Sequence, residues 1–579
     1  MAFLGVETSL TGRRWVGPSG DLERAAAQLS QRSALPPAVC QILAARGVTH
    51  ETVPAYLSPS IRDLLPDPRS LRDMEVAAAR FLTAVQRRER IAIFADYDVD
   101  GGASAALLMI WLSQRGQQAT LYVPDRVDEG YGPNEAAMAH LAARHDLIIC
   151  VDCGTLSHGP IDAAVGADVI VLDHHLAGET LPKAAAVVNP NRQDEDGALA
   201  HLCAAAVVFL MLVEAGRQLR AGGTQGPDLM ALLDLVGLAT VADVAPLVGV
   251  NRAFVRQGLR VMARRERPGL TALSDVARLD TAPTSYHLGF VLGPRINAGG
   301  RIGQADLGAR LLAAQTQAEA QPLAEKLDTL NTARRMVEEA VRAEALAQAD
   351  ARGFDGPLVW ACGAGWHPGV VGIVASRLKD AANRPAIVIG VENGIGKGSG
   401  RSISGIDLGA SIQRVAAEGL LLKGGGHKMA AGLTVAEDQI APAMHRLGEL
   451  IENQGAHAQG AKDLRITGLM TPEAASVELI EQIEQAGPFG AGSPAPRYVF
   501  ADMQIQFAKR VGEKHLKLRF GHSVGPRLDA IGFGAFETPL GPHLEAHDGG
   551  RFHLSGRVEI NVWQGRRTVQ LRLDDAAMA

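Results

Sequence analysis

At 579 residues the chain exceeds what one hydrophobic core supports and should divide into roughly three or four domains. With 47% hydrophobic and 21% charged residues it has the composition of a folded globular protein, which excludes a disordered or fibrous one. The formal net charge of −6 excludes a globally basic nucleic-acid-binding surface and leaves any polyanion to local basic patches or bound cations.

Residues 1–70 form an N-terminal segment without a motif. Its start, "MAFLGVETSLTGRRW", lacks the basic-then-apolar pattern of a signal peptide, and the longest apolar run, Ala204 to Val213, is too short to span a bilayer, so a soluble cytoplasmic protein is expected. From about residue 90 to 190 the β-rich runs "IAIFA", "TLYV", "LIICV" and "DVIVL" alternate with helical stretches at Ala103 to Arg115, Asn134 to Arg144 and Ile161 to Val165, the pattern of a parallel α/β sheet. Ligands of such sheets bind at the carboxyl ends of the strands, and three runs end in acids there: Asp96, Asp152 and Asp173. Cys150 and Cys153 flank one of them as a lone C-x-x-C. Five scattered cysteines argue against a disulfide framework, and this pair reads as core packing.

The first run continues as "DYDVDGG", with Asp96, Asp98 and Asp100 at alternate positions. Crowded carboxylates repel one another unless they are solvated, protonated or neutralised by a cation. Asp152 in "VDCG", His174 and His175 in "LDHH", and Asp243 in "TVADVAPL" add oxygen and imidazole donors suited to Mn²⁺ or Mg²⁺. Asp243 reads equally as a helix cap. Bridging carboxylates of this kind can hold two cations for an in-line phosphoryl displacement.

A charge-rich stretch from Ala318 to Ala351 reads as a long connector helix between two lobes. The second lobe, residues 357 to 432, contains a glycine-dense "KGSGRS" and "KGGGHKMAAG", read as tight loops; three consecutive glycines would let backbone N–H groups approach an anion beside His427 and Lys428. From Leu464 onward short strands and turns predict an all-β barrel. Lys509 to Arg519 forms a local basic stripe there. With Phe520, Phe533, Trp563, Arg566 and Arg567, it suits stacking of bases and tracking of a single-strand backbone.

In chain order, "DYDVDG", "VDCG", "DHH" and "TVADV" resemble the DHH phosphoesterases. "GPRINAGGR", "GSGRS", "GGGHKMAAG" and "GPFGAGSPAP" narrow the resemblance to the RecJ family, bacterial exonucleases that degrade single-stranded DNA from 5′ to 3′. The family's usual "NAAGRL" reads "NAGGRI" here, a change that removes no charged group. The resemblance implies two α/β lobes of DHH and DHHA1 type joined by a long helix, with a C-terminal OB-fold. It divides the chain into an N-terminal segment (1–70), a DHH catalytic domain (71–305), a helical connector (306–352), a DHHA1 phosphate- and nucleic-acid-binding domain (353–458) and an OB-fold (459–579).

It further implies that Asp98, Asp100, Asp152, His174 and Asp243 are ligands of two Mn²⁺ or Mg²⁺ ions. Asp96 and His175 complete the reaction centre, His175 as a general acid or a donor to the scissile phosphate. Arg126, Arg301, Ser399 and Arg401, with Gly425, Gly426 and His427, would grip phosphates near the 5′ end; Arg295 is a structural or secondary contact. The implied partner is single-stranded DNA, with a single-strand-binding protein and a helicase as candidate protein partners and no membrane. Two other readings keep the ancestry: a DHH phosphodiesterase for pyrophosphate, cyclic dinucleotides or short oligonucleotides, which the additional β domain argues against, and a catalytically dead DNA-binding scaffold, which would be expected to lack metal ligands.

Overall fold

The apolar runs of the first lobe become the strands of a sheet that is buried on both faces. In a computed structural model, which describes residues 2–126, 128–455 and 462–579 and leaves the side chain of Trp563 outside the description, the chain forms two units, residues 61–458 and residues 1–60 with 459–579. In the first unit, strands β1 (Ile91–Ala95), β2 (Ala119–Tyr122), β3 (Leu147–Val151), β4 (Asp168–Leu172) and β5 (Ala186–Val188) are all parallel, in the order β2-β1-β3-β4-β5. Strand order reverses between β1 and β3, and their carboxyl ends therefore open the crevice where doubly wound sheets bind ligands. Every residue of β1 and β3 is buried, which explains their unbroken apolar sequences. Cys150 and Cys153 lie in this core, as their packing reading requires.

Helices α1 (Val99–Gln114), α2 (Ala204–Ala221) and α3 (Leu233–Ala242) pack on one another against this sheet, and α4 (Gly293–Ile302) leads to the 36-residue α5 (Gln317–Arg352), which Thr316 caps. Ala320, Ala324 and Leu327 of α5 belong to the core of the first lobe, whereas Val341, Ala345 and Ala349 belong to that of the second. One helix thus anchors its two ends in two cores.

The second lobe is a sheet of β6 (Val359–Ala364), β7 (Ala386–Glu392), β8 (Ile395–Arg401), β9 (Lys423–His427) and β10 (Ala430–Ala436), in the order β9-β10-β8-β7-β6, antiparallel except for β6–β7. Helix α6 (Pro368–Ala382) covers one face and α7 (Leu408–Ala417) the other. The glycine-dense segments, expected as tight loops, are strands. Along β8, "IGKGSGR" alternates: a Cβ at Gly396, Gly398 or Gly400 would meet Ile389, Leu433 or Leu408 side chains at 2.7–2.9 Å, so only glycine lets that face close on the apolar core. Lys397, Ser399 and Arg401 then point to the other face.

In the second unit β11 (Tyr498–Val511), β12 (His515–Gly521), β13 (Arg527–Gly532), β14 (Arg551–Trp563) and β15 (Arg566–Met578) close a five-stranded barrel through β11–β12–β13–β15–β14 and back to β11. Of the N-terminal segment, which carries no motif, residues 1–60 belong to this unit and residues 61–70 to the first. Arg14–Val16 pairs in parallel with Asp463–Arg465, the buried Trp15 indole donates to Asp575 (2.9 Å), and the Tyr498 hydroxyl donates to the Ala38 carbonyl (3.1 Å). Among the aromatic candidates, Phe520 is a correction: it is fully buried against Phe500 and belongs to the barrel core, whereas Phe533 is more than half exposed beside Arg572. The basic stripe is partly spent on ion pairs, Lys514 with Glu537 and Arg519 with Asp529, while Lys509 and Lys517 face each other across β11 and β12. No described helix is long and apolar enough to cross a membrane.

Candidate metal centre and phosphate cleft

The switch point gathers the acids that the sequence singles out. Ala95, Val151 and Leu172 are register neighbours, so Asp96, Asp152 and Asp173 leave β1, β3 and β4 side by side. Asp152 stands in the left-handed region at φ 60°, a conformation uncommon for residues other than glycine that tends to mark functional positions. After Asp96 the chain turns at once into α1. The Asp98 carboxylate caps that helix by accepting from the amides of Asp100 (2.8 Å) and Gly101 (3.1 Å). Gly101 is dictated by packing, since a Cβ there would lie 2.4 Å from the Asp96 carbonyl oxygen.

Asp100 is buried and accepts from the amides of Ala204 (2.6 Å) and Ala205 (2.8 Å) at the start of α2. His174 lies between the acids: its Nε2 is 3.2 Å from Asp152 and 3.6 Å from Asp100, and its Nδ1 is 3.9 Å from Asp243. Asp243, weighed as cap or ligand, does follow the last turn of α3 and also faces His174.

Three sets of donor atoms each converge within 4.8 Å: Asp96, Asp98 and Asp152; Asp152, His174 and His175; and Asp100, His174 and Asp243. Asp152 and His174 each belong to two sets. Asp96 Oδ1, Asp152 Oδ1 and His174 Nε2 are buried without a hydrogen-bond partner among the described residues, an arrangement that is costly unless a cation fills it. Electrostatics agree. Burial, with Asp98 nearby, pushes Asp96 well above the usual carboxylate range, and burial with Asp100, Asp98, Asp96 and Asp243 does the same to Asp152. Burial, with Asp100 and Asp98, raises Asp243 to about 8. A hard, divalent ion pair suits this mostly carboxylate donor set.

Asp173 is committed elsewhere. Its Oδ1 accepts from the amide of His174 (2.7 Å) and from His175 Nδ1 (2.8 Å), and its Oδ2 accepts from the Thr155 amide (3.1 Å). Burial would discharge His175, but the hydrogen bond and charge of Asp173 prevail and raise it to about 9. Tyr131, which carried no signal in the sequence, donates its hydroxyl to the Asp152 carbonyl (2.9 Å) and lies 3.0 Å from His175 Nδ1. Asn189 donates to Thr155 Oγ1 and to the His175 carbonyl, both at 2.8 Å, and so holds the histidine turn from behind.

A second cluster carries the opposite charge. Arg301, at the end of α4, donates to the Gly369 carbonyl (3.0 Å) in the first turn of α6; Arg401 donates to Ser399 Oγ (2.9 Å) and to the Gly400 carbonyl (2.8 Å), and the Ser399 and Arg401 side chains lie beside Gly372 of the same helix. Arg126 stacks over Tyr97, with 5.0 Å from guanidinium carbon to ring centroid. Burial, with Arg126 and Arg334, lowers Arg301 to about 10, and burial with Arg126 also lowers Arg401. Mutually repelling guanidiniums beside a helix N-terminus have the chemistry that suits an anion.

Residues 90–240 match the DHH family, N-terminal domain, residues 355–453 the DHHA1 domain, and residues 466–575 the RecJ OB domain. The chain is 36% identical over 571 residues to the single-stranded-DNA-specific exonuclease RecJ of Dickeya dadantii, covering 95% of this chain and 98% of that protein. The chain belongs to the RecJ family. RecJ of Escherichia coli is 36% identical over 563 residues, 93% of this chain and 96% of that protein. The crystal structure of Thermus thermophilus RecJ in complex with Mn²⁺ superposes with a TM-score of 0.80 at 28% identity, covering 97% of this chain and 79% of that one. Two α/β lobes, the long helix and the OB barrel are thus a RecJ architecture.

Within it Asp96, Asp98, Asp100, Asp152, His174, His175 and Asp243 come together, as do Arg126, Arg301, Ser399 and Arg401. His427 and the glycines stand apart from a turn geometry. Gly425, Gly426 and His427 lie on the edge strand β9, where His427 is in register with Ala430 and, one strand further, Arg401. Arg295 bonds Asp328 of α5 (2.8 Å), the structural contact allowed for it.

Proposed function

We propose that this RecJ-family chain is a metal-dependent exonuclease that degrades single-stranded DNA from its 5′ end to 5′ mononucleotides. The observation that carries the reading is the pairing of a carboxylate–histidine centre with an arginine-rich cluster in one unit, where Gly300 of α4, next to Arg301, packs against Tyr97, next to Asp96 and Asp98. Bound to such a centre, two divalent cations, Mn²⁺ or Mg²⁺, supply an activated water near neutral pH and steady the oxygens of an in-line phosphoryl displacement.

Asp98, Asp100, Asp152, His174 and Asp243 would hold them, with Asp96 completing the centre. His175, kept protonated by Asp173 and oriented with Tyr131, would donate a proton or a hydrogen bond to the scissile phosphate. Arg126, Arg301, Ser399 and Arg401 would bind the terminal 5′ phosphate, which sets the cleaved bond at the end of the strand; Gly425, Gly426 and His427 extend that polar face. The barrel, through Lys509, Lys517 and Phe533, supports a downstream grip on the polymer and favours a long strand over a cyclic dinucleotide. Its place would be the cytoplasm, with a single-strand-binding protein and a helicase as candidate partners.

Digestion of single-stranded and blunt duplex DNA with Mn²⁺, Mg²⁺ or chelator tests this reading. Metal-dependent loss of the single strand alone is expected; equal digestion of duplex, or activity in chelator, would overturn it.

A further inference from the structure

The turn that leads into α4 displays two aromatic rings. Tyr286 and Phe290 stack with centroids 5.2 Å apart and planes 25° from parallel, and Phe290 is 72% exposed. A stacked pair with one open face offers a ready position for a third flat ring. Phe290 sits within Leu288–Leu292, a turn of π-helix, a distortion found frequently at functional sites.

A continuous helix ties this pair to the cleft. Asn297 and Arg301, four apart on α4, share one stripe, and the π turn that carries Phe290 runs into that helix without a break. Arg301 ends that stripe inside the phosphate cleft. Beside the stripe Gly293 packs against Val99 and Ala242, and Gly300 against Tyr97, the chain neighbours of Asp98, Asp100 and Asp243. Asn297 Oδ1 is buried without a partner among the described residues. From Arg301 back to Phe290 the continuous helix, past the neighbours of the acids, covers about 16 Å for eleven residues at the helical rise.

On the reading that a 5′ phosphate occupies the arginine cleft, we infer that Phe290, backed by Tyr286, is a stacking platform for one base of the substrate strand within its first five nucleotides. A strand stacked at about 3.4 Å per nucleotide covers about 16 Å in five steps, and a more extended strand in fewer. Stacking on a ring tolerates every base, as a nuclease without sequence preference requires.

The test uses the full chain in chelator with 5′-phosphorylated oligonucleotides that carry 2-aminopurine at each of the first eight positions in turn, alongside steady-state digestion with Mn²⁺. Fluorescence should be quenched most at one position among the first five. Phe290→Ala should abolish that local quench and raise KM about 5- to 160-fold, the range for losing one base–aromatic stack, with a far smaller fall in kcat. Phe290→Trp should restore both. An abasic residue at the quenched position should remove the difference between wild type and Phe290→Ala. A quench pattern unchanged in Phe290→Ala, or a KM penalty that persists on the abasic strand, overturns the platform while nuclease activity stands. A wild-type chain that fails to digest single strands overturns the functional reading as well.

Discussion

Replacing Gly101 with alanine would put a methyl carbon 2.4 Å from the carbonyl oxygen of Asp96 and 2.8 Å from its carbonyl carbon and amide nitrogen. All three are main-chain atoms of the loop that carries Asp96 and Asp98, so no side chain can swing aside. Ordinary van der Waals contact begins at 3.4 Å, and the loop or the first turn of α1 must therefore shift by 3.4 − 2.4 = 1.0 Å. Overpacking of this kind costs about 1–3 kcal/mol, part of which alanine's better helix propensity offsets. The buried body of α1, from Ala103 to Leu112, keeps the lobe folded. Because a displacement of about 1 Å at a reacting centre costs about 10²-fold, kcat should fall by that order. The assay is nucleotide release from a 5′-phosphorylated single strand at saturating Mn²⁺, with thermal unfolding as the check on the fold. Turnover within about threefold of wild type, under 1 kcal/mol of barrier, would refute the claim that this close approach sets the ligand geometry.

His175→Ala should lower kcat by about 10²- to 10⁴-fold, the range for a positioned proton donor, with metal affinity by calorimetry nearly unchanged; lost metal binding would make it a ligand. Arg401→Ala should reduce the preference for a 5′-phosphorylated over a 5′-hydroxyl strand by about tenfold or more, from the loss of a charged hydrogen bond, and an unchanged preference would remove it from the anion site. In the metal-free chain Asp243 titrates at about 8 because of burial, Asp100 and Asp98, and His175 at about 9 because Asp173 outweighs burial. Across pH 5–8 the folded state therefore holds more protons there than the unfolded one, so these groups make stability fall as pH rises, and cation binding relieves the loss. The gain in Tm on adding Mn²⁺ should grow between pH 5 and pH 8, and a gain that shrinks would contradict the cation assignment.

The convergence of the candidate metal donors is legible because they are chemically conspicuous and sit directly after apolar strands: "IAIFAD", "LIICVD" and "DVIVLD" each announce a strand end. Asp98 and Asp100 follow within one turn. Tyr131 and Asn189 were not legible, since an isolated tyrosine or asparagine in a loop has no periodicity to betray that it faces Asp152 or His175. Glycine misled in the second lobe. Its density in "GKGSGR" reads as a turn, yet the period of two marks a strand whose inner face must carry no side chain. Phe520 obeys the same period: Leu516, Leu518 and Phe520 alternate inward along β12, which an aromatic beside a basic stripe concealed. The union of the N-terminal segment with the barrel rests on pairing between residues 449 apart, Arg14 with Asp463, and local sequence holds no record of such a contact.

The central claim is that a terminal phosphate held by Arg126, Arg301 and Arg401 fixes the cleaved bond at the 5′ end. Time courses on one single-stranded oligonucleotide labelled at its 5′ end in one reaction and at its 3′ end in another test this most directly. The 5′ label should be released at once as a mononucleotide while the 3′ label passes through a ladder of shortening strands. Immediate release of the 3′ label as mononucleotide, with the 5′ label retained on the ladder, would contradict it.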